Sequence, residues 1–190
     1  MATHLIGLLG RKRSGKDTFA ARLVEAHGYK RFAFADNVRQ AALDLDPWIL
    51  PAGDDEDFRA LRLSELVSMF GWELAKDYAE VRRVLQNFGT ESIRKLDPDF
   101  WVRTVMDAVD AHDGPVVITD VRFPNEHHFV QARGTTVRIT RPGQDTDTHI
   151  SETGLDNVLT DAVIRNDRDV AILNRKADLL AASVLWAAER

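Results

Sequence analysis

The 190-residue chain has no cysteine. That excludes disulfides, thiolate catalysis and zinc–cysteine sites, and it predicts a reducing compartment, the cytosol. It has no apolar run approaching the ~18 residues of a membrane span. The N-terminus runs almost directly into an apolar segment, so a secretory leader is not expected. Basic charge is also short, with 25 Lys and Arg against 30 Asp and Glu, a net charge of -5. A long nucleic acid bound across a basic surface is therefore disfavoured. A small polyanion is not, because local charge can oppose the global balance. No internal repeat or low-complexity tract is visible. What remains is an ordinary apolar fraction of 44%, enough for one globular domain with a proper core.

The local excess of positive charge falls in one place. Leu5 to Leu9 is a short, nearly all-apolar run, as expected of a central parallel strand buried on both faces. Gly10-Arg11-Lys12-Arg13-Ser14-Gly15-Lys16-Asp17-Thr18 follows, and then a helical pattern with Phe19, Ala20, Leu23 and Val24 on one face. Gly10 and Gly15 bound a loop whose backbone N–H groups can cradle phosphate oxygens. Lys16 reaches the outer phosphates, and the helix adds its positive N-terminal end. Arg11, Arg13 and Ser14 complete the candidate phosphate-binding set. The pattern departs from G-x-x-x-x-G-K-[ST] at one position, Asp17, where a magnesium-binding hydroxyl is usual. A carboxylate can also hold that cation, and Thr18 is next, so both are candidate metal ligands. A glycine turn that binds nothing is the alternative. The order of strand, loop, lysine and helix argues against it.

Further along, Tyr29 to Ala35 reads as a second strand and Asp36-Asn37-Val38-Arg39 as a strand-to-helix corner, where ligands bind in open α/β folds. Asp36 is either a helix cap or a substrate contact, and Arg39 either a phosphate ligand or a solvated charge. Asp46 to Asp57 reads as an acidic loop opening an inserted lobe. From Leu61 to His112 the pattern is mostly helical. Val81, Val84, Leu85 and Phe88 form one apolar stripe, and Trp101, Val102, Val105, Met106 and Val109 another. Between them, Gly89 is expected to break or kink the helix, while Gln86, Thr90 and Arg94 recur at about one-turn spacing. Phe88 and Trp101 are core aromatics by default, or one of them packs on a nucleobase.

Pro115 to Thr119 is an apolar strand ending in Asp120, the position where P-loop enzymes hold magnesium or its waters. In the polar turn that follows, Arg122 is a candidate for phosphate or transition-state charge, and Asn125 and Glu126 for orienting it or capping the next helix. Gly134 to Thr140 is a fourth strand, leading through Arg141-Pro142-Gly143 into a long polar loop with the character of a lid, which would exclude water from the reaction. Arg141 is its candidate charge-stabilising residue, and His149 reads as a surface histidine. His127 and His128 are adjacent, so they do not share a helix face and no chemistry is expected of them. Ala162-Val163-Ile164 is a short fifth strand, and Arg168 to Glu189 a closing helix with Leu173, Ala177, Leu180, Val184 and Ala187 on one face.

Taken together, the motifs resemble bacteriophage deoxynucleoside monophosphate kinases. The resemblance rests on GRKRSGKDT (10–18), FAFAD (32–36), QNFGTESIR (86–94), DPDFWV (97–102), DVRFPNE (120–126), ITRP (139–142) and HISE (149–152), in order over most of the chain. It implies that Asp17 is a family variant. It implies a three-layer α/β P-loop kinase fold with a mostly parallel sheet of about five strands. The core would be 1–36, 113–140 and 157–190, with a helical substrate-binding insertion at about 37–112 and a lid at about 141–156. It implies ATP and Mg2+ as cofactors and transfer of the γ-phosphoryl group to a deoxynucleoside 5′-monophosphate in a bacterial cytosol, with a homodimer expected. The inferred roles are Lys16, Arg122 and Arg141 in catalysis, and Asp17, Thr18 and Asp120 at the metal. Asp36, Arg39, Gln86, Gly89, Thr90, Arg94, Trp101, Asp120, Arg122 and Glu126 would lie at the acceptor. Two other readings stay open at this level. Phosphomevalonate kinase of the animal type is similar at the loop and at the strand-end Asp-x-Arg, but the FPNE continuation and the QNFGTE segment of this chain resemble the phage enzymes instead. A non-catalytic ATP switch would not need a second phosphate site.

Overall fold

A computed structural model describes residues 4–49, 60–143 and 154–188, with side chains described through 184. The chain divides into two compact units. One holds residues up to Phe34 and from Val102 onward, the other Ala35–Trp101.

The first unit is built on strands β1 (Leu5–Leu9), β2 (Lys30–Phe32), β5 (Val116–Ile118), β6 (Thr135–Thr140) and β7 (Ala162–Arg165). They form one sheet in the order β2-β5-β1-β6-β7, and every pairing is parallel. β1 lies at the centre, which explains its unbroken apolar run. Leu5 and Leu9 turn to one core, and Ile6 and Leu8 to the other. β5 alternates in the same way, with Val116 and Ile118 on one face and Val117 on the other.

Helices α1 (Lys16–His27) and α8 (Val170–Ala188) cover one face. Phe19, Ala20 and Leu23 of α1 pack there with Leu173, Ala177 and Ala181 of α8. The opposite face is covered by α6 (Phe100–Asp110) from Val102 onward and by α7 (Pro124–Gln131). Gly7 lies under α7, where a Cβ would meet Val130 Cγ1 at 2.4 Å.

Arg22 and His27 of α1 both reach Asp178 of α8, with Arg22 Nε and His27 Nε2 each 2.8 Å from Oδ1. Hydrogen bonds from Arg22 and then His27 pull the Asp178 carboxyl from 3.8 down to about 2. The folded state therefore binds this proton less readily than the unfolded chain. The contribution is present above about pH 4 and is lost as pH falls towards about 2. Asp178→Asn should melt below the native protein at pH 6, and the gap should narrow markedly by pH 2.5. Thermal melts at the two pH values check this, and a gap that did not narrow would count against it.

The second unit contains most of α2 (Phe34–Leu45), a two-stranded antiparallel pair β3 (Trp48–Ile49) and β4 (Leu61–Arg62), α3 (Leu63–Ala75), α4 (Ala79–Gln86), a π-helical segment (Asn87–Ile93) and a short turn α5 (Arg94–Leu96). Its core is Ala42, Ile49, Leu63, Leu66, Ala75 and Val81. Arg62 lies 4.2 Å over the Trp48 ring and donates through Nη1 to the Asp46 carbonyl, so the start of the acidic segment is tied to β4.

Several expectations shift. The second strand is only Lys30–Phe32, and α2 begins at Phe34. Asp36 consequently lies inside the first turn of α2 and does not precede it. Gly89 does not end the helix; it sits within the π-helical segment. The second unit closes at Trp101 and not near 112, because Val102, Val105, Met106 and Val109 belong to the core of the first unit. The greater part of the expected lid, including His149 and the HISE motif, lies outside the described residues.

Candidate active site

Three loops leave the carboxyl ends of the adjacent strands β1, β5 and β6, the edge at which open parallel sheets bind ligands. They carry the glycine-bounded loop, the Asp120–Glu126 turn and Arg141.

The first loop has the backbone of a phosphate cradle. Gly10 (φ 136°), Arg13 (φ 63°) and Gly15 (φ 102°) all have positive φ. Successive turns of this kind gather N–H groups into one concavity. The loop is bounded closely on its other side, and a Cβ on Gly10 would lie 2.2 Å from the Ile139 carbonyl oxygen. Lys16, only 8% exposed, folds back over the loop. Its Nζ donates to the carbonyls of Gly10 (2.5 Å) and Arg11 (2.8 Å). An ammonium held there brings positive charge to the loop. Ser14 is fully buried. Asp17 and Thr18 are exposed on the first turn of α1. Arg11 is ion-paired to Asp156 at 2.6 Å, so the loop is linked to the segment ahead of β7. Arg138 holds that segment, donating to the carbonyls of Leu155 (2.6 Å) and Val158 (2.7 Å).

In the second loop, Asp120 Oδ1 accepts the backbone N–H of Phe34 at 2.8 Å. A carboxylate expected at a metal thus also caps α2, favourably placed at the positive end of that helix. Glu126 is 1% exposed and accepts the N–H groups of Arg122 (2.7 Å) and Phe123 (3.0 Å) through Oε2. Of the roles open to it in the sequence, the structure displays the cap. Through Oε2 the carboxylate shapes the turn. Arg122, half-buried, is presented by that turn. Arg141 is exposed just beyond β6. His127 is buried, and desolvation holds its pKa below the usual value.

The remaining candidates belong to the second unit. Arg39 donates to Asp36 Oδ1 at 3.2 Å and lies 5.8 Å from the Trp72 ring centre, so it is held in place and not freely solvated. Gly89 is buried against α2, and a Cβ would meet Val38 Cγ1 at 2.7 Å. Trp101 is 3% exposed, donates its indole N–H to the Gly89 carbonyl at 3.0 Å and packs edge-on to Phe88 and Phe100. With so little free surface it supports the π-helical segment and offers no open ring face, unlike the base-stacking role considered for it. Gln86 is exposed, and Thr90 and Arg94 half-exposed, along that segment. π-Helical turns occur often at functional sites.

One residue at the cradle carried no motif. Asn166, just past β7, is buried and donates Nδ2–H to the Ser14 carbonyl at 2.9 Å.

Comparison with known proteins decides the family. The family described as "Deoxynucleotide monophosphate kinase" matches residues 51–177. A putative deoxynucleotide monophosphate kinase of Acanthamoeba polyphaga mimivirus is 31% identical over 180 residues, covering 87% of this chain and 90% of that one. The chain belongs to the deoxynucleotide monophosphate kinase family. The deoxynucleotide monophosphate kinase of enterobacteria phage T4 is 36% identical over 99 residues, 48% of this chain and 41% of its own length. Among solved structures, one from Thermus thermophilus superposes with a TM-score of 0.52 at 16% identity, covering 96% of this chain and 98% of its own. A dephospho-CoA kinase from Campylobacter jejuni gives 0.50 at 16% identity, covering 95% and 96%. These two share the α/β fold of this chain. The family match begins at residue 51, after the cradle, so the loop geometry and the family match are separate observations.

Proposed function

We propose that this kinase transfers the γ-phosphoryl group of ATP to a deoxynucleoside 5′-monophosphate and releases the diphosphate. The observation that carries this reading is the cradle of positive-φ residues closed by Lys16 in a chain of this family. Phosphoryl transfer asks for positioning and charge stabilisation more than for covalent chemistry. The amides of Gly10 to Thr18 and the Lys16 ammonium would hold the ATP phosphates. Arg122 and Arg141 would face the charge that develops on the transferred group. Arg39 and Arg94 would hold the acceptor phosphate, with Asp36, Gln86 and Thr90 completing its contacts and Gly89 and Trp101 shaping their support. The acceptor phosphate is already anionic near neutral pH, so no strong general base is required.

Magnesium fits the residues present. Among the described residues no three acidic or histidine side chains converge as a metal cage. That suits a cation bound mainly by phosphate oxygens and water, with one or two side chains. Asp17 and Thr18, exposed beside the cradle, and Asp120 would supply those, and the ion would neutralise phosphate charge. The partners are thus small molecules, in a cytosolic protein that does not bind polymeric nucleic acid, and a homodimer is the expected assembly.

A panel of acceptors tests the reading: the four deoxynucleoside monophosphates, their ribo counterparts and phosphomevalonate, each with Mg-ATP. Turnover of about 1–100 per second on one or more deoxynucleotides is expected. Transfer to phosphomevalonate alone, or ATP binding with no transfer at all, would overturn it.

A further inference from the structure

A phosphate cradle works only if its N–H groups point inward, and that depends on where its carbonyls are held. Each peptide is planar and trans, so its C=O and the following N–H point in opposite directions. Fixing one fixes the other. In this loop, Lys16 takes the Gly10 and Arg11 carbonyls. Ser14 N–H also donates to the Arg11 carbonyl, and Phe19 N–H to that of Gly15. The Ser14 carbonyl has a different partner, Asn166 Nδ2. Asn166 is itself fixed, because its backbone N–H donates to Thr140 O at 2.7 Å at the end of β6. Its carboxamide lies directly against Gly15, where a Cβ would be 2.4 Å from Nδ2.

We propose that Asn166 is a positioning residue for the phosphoryl donor: by holding the Ser14 carbonyl it aims the Gly15 N–H into the cradle. Without that bond the Ser14–Gly15 peptide can flip, because the positive φ of Gly15 leaves it room to turn. A flipped peptide presents a carbonyl oxygen to a phosphate and replaces attraction with repulsion. An amide suits this task and a carboxylate does not, since the group facing Ser14 O must be a donor. The proposal rests on the reading of Gly10–Thr18 as the ATP site.

Asn166→Ala and the near-isosteric Asn166→Asp test it, with Lys16→Ala in parallel. Asn166→Ala should weaken Mg-ATP binding about tenfold, the effect of one lost hydrogen bond. Asn166→Asp should weaken it further, and both should leave the acceptor KM at saturating ATP within about twofold. A purely structural role would lower the melting temperature of both variants and leave ATP affinity of the folded protein unchanged, and that result would overturn the proposal. So would equal losses for donor and acceptor. If Lys16→Ala loses ATP binding while the Asn166 variants keep it, the cradle stands and this role alone falls. If Lys16→Ala keeps it, the cradle reading itself fails. Should the variants not fold, amide NMR of the wild-type protein decides. Mg-ATP should shift the Gly15 N–H resonance, and an unmoved Gly15 beside a shifted Lys16 would exclude the role.

Discussion

Lys16→Ala is expected to lower kcat/KM for ATP by about 10²–10³-fold, the range found when a group that stabilises transferring charge is removed from a preorganised site. The melting temperature should change far less. Lys16 is buried, yet it belongs to none of the three hydrophobic clusters. Its Nζ is bonded to the carbonyls of Gly10 and Arg11, the two peptides that lead into the cradle. Losing the side chain removes these two contacts and with them a full positive charge where the ATP phosphates are expected to lie. It also frees the Gly10 carbonyl, whose orientation sets the Arg11 N–H, and leaves the Arg11 carbonyl to the Ser14 N–H alone among the bonds described. Both losses act on the transferring phosphates, while the sheet and its helices are untouched. Lys16→Arg should recover little, because a planar fork does not replace a compact ammonium in so close a fold of the loop. Steady-state kinetics with thermal melts of the same preparations would check this. Turnover within about fivefold of wild type in a folded variant would remove Lys16 from the reaction. Arg122→Ala should behave in the same direction, with a larger share of its loss in kcat.

The parts of this molecule that were legible in its sequence are those whose signal is local. β1 could be read because a strand buried on both faces needs an unbroken apolar run. The cradle could be read because positive φ and close approach select glycine at positions 10 and 15. What escaped depends on residues far apart in the chain. β2 stops at Phe32 and α2 starts at Phe34 because Asp120, 86 residues away, accepts the Phe34 N–H. β3 and β4 are two residues each, too short for any periodicity, and form through each other. Trp101 and Val102 lie on one apolar stripe, yet the division into two compact units falls between them, which the stripe does not mark. The π-helical segment leaves no compositional mark that distinguishes it from an α-helix with a glycine. Asn166 is a single polar residue after a short strand. Its only clue is that position, at the carboxyl end of a strand in the same sheet as the cradle.

Gly10→Ala should be strongly damaging, and Gly28→Ala provides its control. Both glycines have positive φ, 136° at Gly10 and 69° at Gly28. At Gly28, the C-cap of α1, nothing lies within 4 Å of a new Cβ. Only the backbone preference opposes the substitution, about 1–2 kcal/mol for an L-residue in the left-handed region. At Gly10 the same methyl would sit 2.2 Å from the Ile139 carbonyl oxygen and 3.0 Å from Ser14 Oγ. The first of these is backbone in β6, which pairs with β1 along Ile6 to Leu9 and cannot move without disturbing that ladder. Ser14 is fully buried and has no room to retreat. The strain therefore has two outlets, separation of β1 from β6 at their carboxyl ends or displacement of the loop, and either deforms the cradle. Strain at such a position adds to the backbone penalty, for a total of about 3 kcal/mol or more. For a chain of this length each kcal/mol lowers the melting temperature by about 2–4 °C. Gly28→Ala should fall within about 8 °C of wild type and keep full ATP turnover. Gly10→Ala should fall further and lose ATP binding even well below its own melting temperature. Equal shifts in the two variants, with turnover retained in both, would mean that the contact with Ile139 places no constraint on the loop.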